Sequence, residues 1–360
     1  MKFDCNRFAE TFKSLFANDL NMIGKEVNFI QRTRTLTLSS FVCTTLMALM
    51  KTRNCPDNNL SFSYLSEEFK EQNINISAQG LHSRFDNKAV ELFRKLLNAA
   101  IAKFTGSTYQ SDLPLLKSFN GVYLGDCTTI SLPPELQGDF PGCGFGKKDS
   151  KSAELKIYCN MEVASGNIVD LLLADGKTSD HKIVEEASDR PSRSLIIHDL
   201  GFYNVKQFRK IEEEGSFFIS RVAAGKVLCV NGQKYSIGNF LLKYGSKQET
   251  IDMPIEIGET RYPVRCVAFH APPEVAAIRR KKMREKHRSD KNRRGNKQVS
   301  EEQLITSEWT IFITNLSDKE YSQEEIYTLY RVRWQIELLF KLWKSEGGLC
   351  DKKCTKERFV

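Results

Sequence analysis

Four side chains recur at fixed intervals near the end of the chain: Tyr330, Arg333, Glu337 and Lys344, within YRVRWQIELLFKLWK. One carboxylate flanked by cations suits a metal held against a phosphate backbone. Two more acids stand after apolar runs that read as strands, Asp126 after GVYLG and Asp199 after SLIIH. Clustered carboxylates repel, so a site that gathers three needs a compensating cation. Oxygen ligands without Cys or His select Mg²⁺ or Mn²⁺. Two such ions, about 3.5–4 Å apart, activate a water or a 3′-hydroxyl and stabilise the leaving oxygen in phosphodiester transfer. Plainer roles fit the same residues. Aspartates also end strands because they make turns, and the four-residue line reads equally as a solvated helix surface.

From a plausible N-cap at Ser322 onward, the segment lacks Gly and Pro as far as Lys344 and is rich in helix formers, which predicts one helix over 330–344. At ~100° per residue its four polar side chains share an arc of about 60°, beside an apolar stripe of Leu329, Val332, Ile336, Leu339 and Trp343. Lys344 then sits about 10 Å beyond Glu337 along the axis. GVYLGDCTTISLP predicts a strand ending on Asp126. LKIYCNMEV and NIVDLLLADG predict a hairpin about Ser165-Gly166, HKIVEEAS a short helix, and SLIIHD a buried strand ending on Asp199. A helix in FYNVKQFRKIEEEG and a strand in FFISRV follow. Such a sheet gathers strand-end carboxylates at the edge where active sites of mixed α/β sheets lie. His198 alternates to the opposite face from Asp199 and reads as structural.

From about 224 to 275 the apolar pattern has period two, with turn residues at NG and IGET. A basic stretch follows, then the buried strand WTIFITNL. EVAAIRRKKMREKHR is built of helix formers and loses order towards SDKNRRGNKQ. Between Arg279 and Lys297 eleven Lys or Arg face only Glu285 and Asp290, a net of +9 in a chain whose total is +8. The protein therefore carries one concentrated basic element, which points to a polyanion, nucleic acid first, with a solvated charged helix as the plain alternative. Residues 1 to about 115 read as helical. Three successive helices in SFSYLSEEFKEQ, ISAQGLHSRF and NKAVELFRKLLNAAIAKF are compatible with a helix-turn-helix unit offering Gln79, His82, Ser83 and Arg84. A plain helical bundle fits nearly as well.

At 360 residues with 41% hydrophobic and 27% charged side chains, this is an ordinary globular composition, and no run of about 18 apolar residues predicts a membrane span. The start, MKFDCNRFAETF, lacks the order of a secretory signal. Ten cysteines without a framework spacing point to reduced thiols in a cytosol. Cys350 and Cys354 have no accompanying Cys or His pair with which to hold a metal.

The spacing Y-x2-R-x3-E-x6-K, met by Tyr330, Arg333, Glu337 and Lys344, resembles the signature of DDE transposases of the insertion-sequence four family. DCTTISLP resembles that family's first acidic motif and HDLGFYNVKQF its second; WTIFITNL, the basic stretch and the early RTRTLTLSS are similar too. The resemblance covers roughly residues 30 to 350. It implies an α/β fold with a ribonuclease H-like catalytic core, a β-rich insertion and an N-terminal helical DNA-binding region. The expected division is a helical region over 1–115, the first part of the core over 116–222, the insertion ending in the basic stretch over 223–305, and the last core strand with the catalytic helix over 306–360. It implies Mg²⁺-dependent cleavage at transposon ends and strand transfer into target DNA. Asp126, Asp199 and Glu337 would hold two Mg²⁺, with Mn²⁺ able to substitute, and Tyr330, Arg333 and Lys344 would contact phosphates. Family members that cut through a hairpin extrude a base, for which Trp334 and Trp309 are candidate platforms and core packing the alternative, the more so for Trp343. Arg279, Arg280, Lys281, Lys282, Arg284 and Arg288 of the basic stretch would grip DNA. The partners implied are double-stranded DNA (terminal inverted repeats and target) and a second copy of the chain in a synaptic complex, in a bacterial cytoplasm at the nucleoid. Family members continue after the Lys through a helical region used in assembly, whereas here the chain stops at ERFV, sixteen residues past Lys344. That implies a C-terminally truncated copy. Two alternatives follow: a catalytically silent remnant that binds transposon ends, and a stand-alone structure-specific nuclease.

Overall fold

The computed structural model describes residues 10, 13–29, 36–52, 61–105, 114–143, 152–185, 187, 189–222, 225–245, 248–294 and 299–345. Cys350 and Cys354 lie outside them, and so does the side chain of Arg288. No described helix is long and apolar enough to cross a membrane. The chain forms two compact units, each drawn from more than one segment.

One unit comprises Met1–Ser111, Cys127–Ser188 and Gln335–Val360. Its helices α1 (Leu20–Glu26), α2 (Leu38–Thr52), α3 (Phe62–Glu71), α4 (Ala78–His82) and α5 (Asn87–Thr105) enclose a core containing Phe41, Leu65, Phe69, Leu81 and Leu92. Ser61 and Ser77 cap α3 and α4, each accepting a backbone N–H from the first turn. The His82 ring meets Phe62 edge-on and Ser83 bonds back to the Gln79 carbonyl, so this turn of helix packs within a helical bundle. Strand β1 (Val122–Leu132) enters this unit with its second half, alongside the hairpin β2 (Ala153–Glu162) and β3 (Ile168–Asp175). Gly166 turns that hairpin at φ +69°, and Glu162 accepts from the backbone and hydroxyl of Ser165. A short helix α6 (Asp180–Val184) follows, tied to β2 by Lys156 and Asp180 at 2.7 Å.

The other unit comprises Asp112–Asp126 and Asp189–Trp334. Here the first half of β1 lies parallel to β4 (Leu195–His198), itself parallel to β5 (Phe217–Arg221). Helix α7 (Val205–Glu213) connects those two strands. β6 (Val227–Val230) and β7 (Gln233–Ser236) form a hairpin whose two-residue turn, Asn231-Gly232, has both φ values positive. That is the backbone the N-G pair favours. After α8 (Ile237–Tyr244) come β8 (Thr250–Ile257) and β9 (Tyr262–His270), the basic helix α9 (Pro273–Arg294), α10 (Glu301–Glu308), β10 (Trp309–Thr314) and α11 (Gln323–Arg331). β10 pairs antiparallel with β5 on one side and β9 on the other. The β-rich segment therefore extends the sheet that carries Asp199. Alternate residues of β10 serve opposite faces: Ile311 and Ile313 join Phe208, Ile211, Phe240 and Leu241 under α7 and α8, while Phe312 meets Tyr327 and Tyr330 of α11.

Three expectations need correction. The strand bearing Asp126 does not end there but runs to Leu132, because the β-branched residues of CTTIS continue the extended pattern. What ends near Asp126 is the parallel pairing with β4, whose last register pair is Gly125 with His198. The single helix over 330–344 is instead two: Ser322 caps α11 through a capping box with Glu325, but α12 (Trp334–Ser345) begins afresh. The N–H groups of Val332 and Arg333 bond to carbonyls three residues back, Leu329 and Tyr330, which closes α11 with a tightened turn. The basic helix keeps its helical backbone through SDKNRR to Arg294, since no Gly or Pro intervenes before Gly295.

Candidate active site

Period-two geometry carries the site. Leu124 of β1 faces Ile197 of β4, and two residues further each strand puts an aspartate on the same face, Asp126 beside Asp199. Parallel neighbours stand about 4.8 Å apart, so the two carboxylates are brought side by side where their parallel pairing stops. That face is the one on which Phe312 supports α11, and the Tyr330 ring lies 4.6 Å from the Phe312 ring. The Tyr330 hydroxyl donates to Asp199 Oδ1 at 3.1 Å. Burial, and then the Asp199 charge, push that hydroxyl well above its ordinary value, so it stays a donor.

Arg333 completes the arrangement from the turn between α11 and α12. One of its terminal nitrogens donates to Asp126 Oδ2 at 3.2 Å and lies 4.0 Å from Asp199 Oδ2. Its side chain is 14% exposed, against 20% for Asp126 and 34% for Asp199. The guanidinium also lies over the Tyr330 ring, 5.8 Å from its centroid. A half-buried cation thus sits between two carboxylates that would otherwise repel. Two all-oxygen donors held in register by neighbouring strands have the chemistry that hard divalent ions take. Among the described residues no group of three or more His, Cys, Asp or Glu side chains stands together. Glu337 belongs to the other unit, half-buried in the first turn of α12, a place that favours a carboxylate. Lys344 is half-buried in the last turn of the same helix.

His198 points away from the pair, is buried, and stacks on Phe202 at 4.9 Å. Desolvation and the nearby Arg190 charge lower its pKa to about 3, which keeps the ring neutral. The two tryptophans separate. Trp334 is 67% exposed, whereas Trp309 is 4% exposed, set in the core with its ring against His270. Trp309 therefore offers no free face to a base, which corrects the expectation for it. Trp343 packs against the cluster of Ile130, Leu155 and Ile157.

The basic helix divides as well. Arg280 pairs with Glu308 at 2.6 Å, His270 reaches the other oxygen of that carboxylate at 3.1 Å, and Arg279 donates to Thr310. These contacts fasten the root of α9 to β9, α10 and β10, while Lys281, Lys282 and Arg284 are exposed. Glu308 and His270 escaped the sequence reading because the pairs they enter span 28 and 38 positions and no local pattern announces them. Arg221 escaped it too; it stands opposite Phe312 on β5 and its charge acts on Tyr330. A cation ending the strand FFISR is the one signal that could have found it.

A family model described as "Transposase DDE domain" matches residues 117–360. The chain is 24% identical to the transposase for insertion sequence element IS1151 of Clostridium perfringens, over 97% of this chain and 75% of that protein. It is 26% identical to the transposase for insertion sequence element IS231F of Bacillus thuringiensis subsp. israelensis, over 75% of this chain and 59% of the relative. The putative transposase InsL for insertion sequence element IS186A of Escherichia coli (strain K12) is 28% identical over 57% of this chain and 55% of its own length. The chain thus spans between about half and three-quarters of these relatives. It belongs to the transposase DDE domain family, within the insertion-sequence four group.

Proposed function

We propose that this chain is a DNA transposase that cleaves at transposon ends and transfers the freed strand into target DNA by a cut-and-paste route through a hairpin. Asp126 and Asp199 side by side, with Arg333 bridging them, are the observation that carries the reading. Asp126, Asp199 and Glu337 would hold two Mg²⁺, with Mn²⁺ able to substitute. When bound, such ions activate the attacking oxygen and stabilise the leaving one in phosphodiester transfer. Tyr330 fixes the Asp199 carboxylate; Arg333 and Lys344 supply charge for end phosphates, and Lys281, Lys282 and Arg284 for the duplex backbone. Trp334 has the exposed ring that an extruded base needs.

The order of β1, β2, β3, β4 and β5, with β1, β4 and β5 parallel, supports a ribonuclease H-like core, and β6 to β9 with α8 the β-rich insertion. We assign the N-terminal helical bundle to DNA contact. The working form would be a homodimer on paired transposon ends, in a bacterial cytoplasm at the nucleoid.

Purified protein incubated with duplex carrying the terminal inverted repeats of its own element should nick at the ends only when Mg²⁺ or Mn²⁺ is present. Glu337→Gln should lose that cleavage, by at least about a hundredfold, while keeping end binding. Binding without a nick at any divalent concentration would overturn the enzymatic reading in favour of a DNA-binding remnant.

A further inference from the structure

The Arg333 guanidinium lies between Asp126 and Asp199, the two carboxylates proposed above as metal ligands. Its nitrogen meets one oxygen of each carboxylate, at 3.2 and 4.0 Å. We infer that Arg333 is a resident counter-ion of the resting centre, and that divalent-ion binding and withdrawal of Arg333 from the aspartates are one coupled event. The inference rests on the metal-site reading above and adds what that reading leaves out: the ion enters by displacement.

Three observations support the coupling. Two partly buried carboxylates side by side need a positive charge whether or not metal is present, and Arg333 supplies one, hydrogen-bonded to Asp126. A guanidinium and a divalent ion drawn to the same two oxygens repel each other, so the binding of one disfavours the other. Arg333 also sits outside a regular helix, in the turn between Arg331 and Trp334. Its long side chain can turn away by rotation about its own torsions, leaving the backbone of α11 and α12 in place. Tyr330, by contrast, is packed on Phe312 and bonds to Asp199 Oδ1, while the Arg333 contact is with Oδ2. It can hold Asp199 in place while the counter-ion changes. Once displaced, the guanidinium becomes available to a phosphate, so the centre would present its DNA-gripping arginine only after it is charged with metal.

A competitor that holds the site about nine-tenths of the time raises an apparent dissociation constant about tenfold. The test is Mn²⁺ binding to the full chain without DNA, followed by electron paramagnetic resonance of the free ion. We compare the wild type with Arg333→Gln, which removes the competing charge, and Arg333→Lys, which keeps it on a more mobile stem. Displacement predicts Mn²⁺ binding about tenfold tighter in Arg333→Gln and intermediate in Arg333→Lys. It also predicts a larger rise in melting temperature on adding Mn²⁺ to Arg333→Gln than to the wild type. If Arg333 only braces the fold, Arg333→Gln melts lower with and without Mn²⁺ and binds the ion no more tightly, which overturns the inference while leaving the metal site standing. Should Arg333→Gln not fold, Arg333→Lys binding Mn²⁺ no better than the wild type overturns it equally. No saturable Mn²⁺ binding by the wild type would remove the metal-site reading and the inference together.

Discussion

The Tyr330 hydroxyl donates to Asp199 Oδ1 across 131 positions of sequence, at 3.1 Å. The signature tyrosine is therefore committed to a carboxylate, and a phosphate contact would have to share its single proton. A positioning residue of this kind, next to a ligand, typically affects activity about 10–100-fold. Tyr330→Phe should lower the cleavage rate by that order and raise the Mn²⁺ concentration needed for half-maximal rate. End binding, measured by gel shift, should stay within about twofold. A large loss of end binding with metal dependence unchanged would return Tyr330 to the phosphate contact.

The basic helix should separate into two behaviours. Neutralising Lys281, Lys282 and Arg284 together should weaken duplex binding and reduce the salt slope by about 0.9 for each phosphate no longer neutralised. Folding stability should hardly move, since these side chains are exposed. Arg280→Ala should instead lower stability by about 1 kcal/mol, because its partly exposed pair with Glu308 fastens the helix root. An unchanged salt slope in the triple variant would remove the exposed cations from the interface.

Trp309 and Trp334 should respond in opposite ways. Trp309→Ala empties a core position and should cost about 3–5 kcal/mol of stability in a denaturant titration. Trp334→Ala should leave stability within about 0.5 kcal/mol. If its exposed ring stacks an extruded base, the substitution should weaken the hairpin step by about 1–3 kcal/mol.

Glu308 gives a pH dependence. Burial raises its carboxyl pKa, but Arg280 and His270 together more than offset this and hold it below the ordinary 4.5. A carboxyl depressed in the folded state stabilises fully above 4.5, and that contribution disappears as pH falls through the lower folded value. Glu308→Gln should therefore be less stable than the wild type at neutral pH, by ~1 kcal/mol or less. The two should converge as the pH falls below 4.5 and through the lower folded value. Parallel stability curves across that window would contradict the pairing.

Local chemistry made much of this legible. The N-G pair dictates the β6–β7 turn, Ser322 and Glu325 cap α11, and apolar runs ahead of Asp126 and Asp199 mark the strands. What escaped was non-local. Nothing between Tyr330 and Lys344 breaks a helix by composition, yet a turn separates α11 from α12 at Arg333, whose side chain is bound to acids from distant segments. Asp126 looked like a strand end because the apolar run stops there, while extended backbone continued through β-branched residues. The burial of Trp309, and the commitment of Arg279 and Arg280 to Thr310 and Glu308, depend on which strands pair, and sequence periodicity does not specify that.

Everything proposed for the chemistry depends on Asp126 and Asp199 binding the catalytic metal themselves. Replacing either by Cys exchanges a hard oxygen for a soft sulfur, which Mn²⁺ tolerates better than Mg²⁺. The deciding experiment is terminal-repeat cleavage by Asp126→Cys and Asp199→Cys, measured in each ion. Direct ligation predicts cleavage lost in Mg²⁺ and recovered at least in part in Mn²⁺; cleavage in Mg²⁺ at the wild-type rate would rule it out.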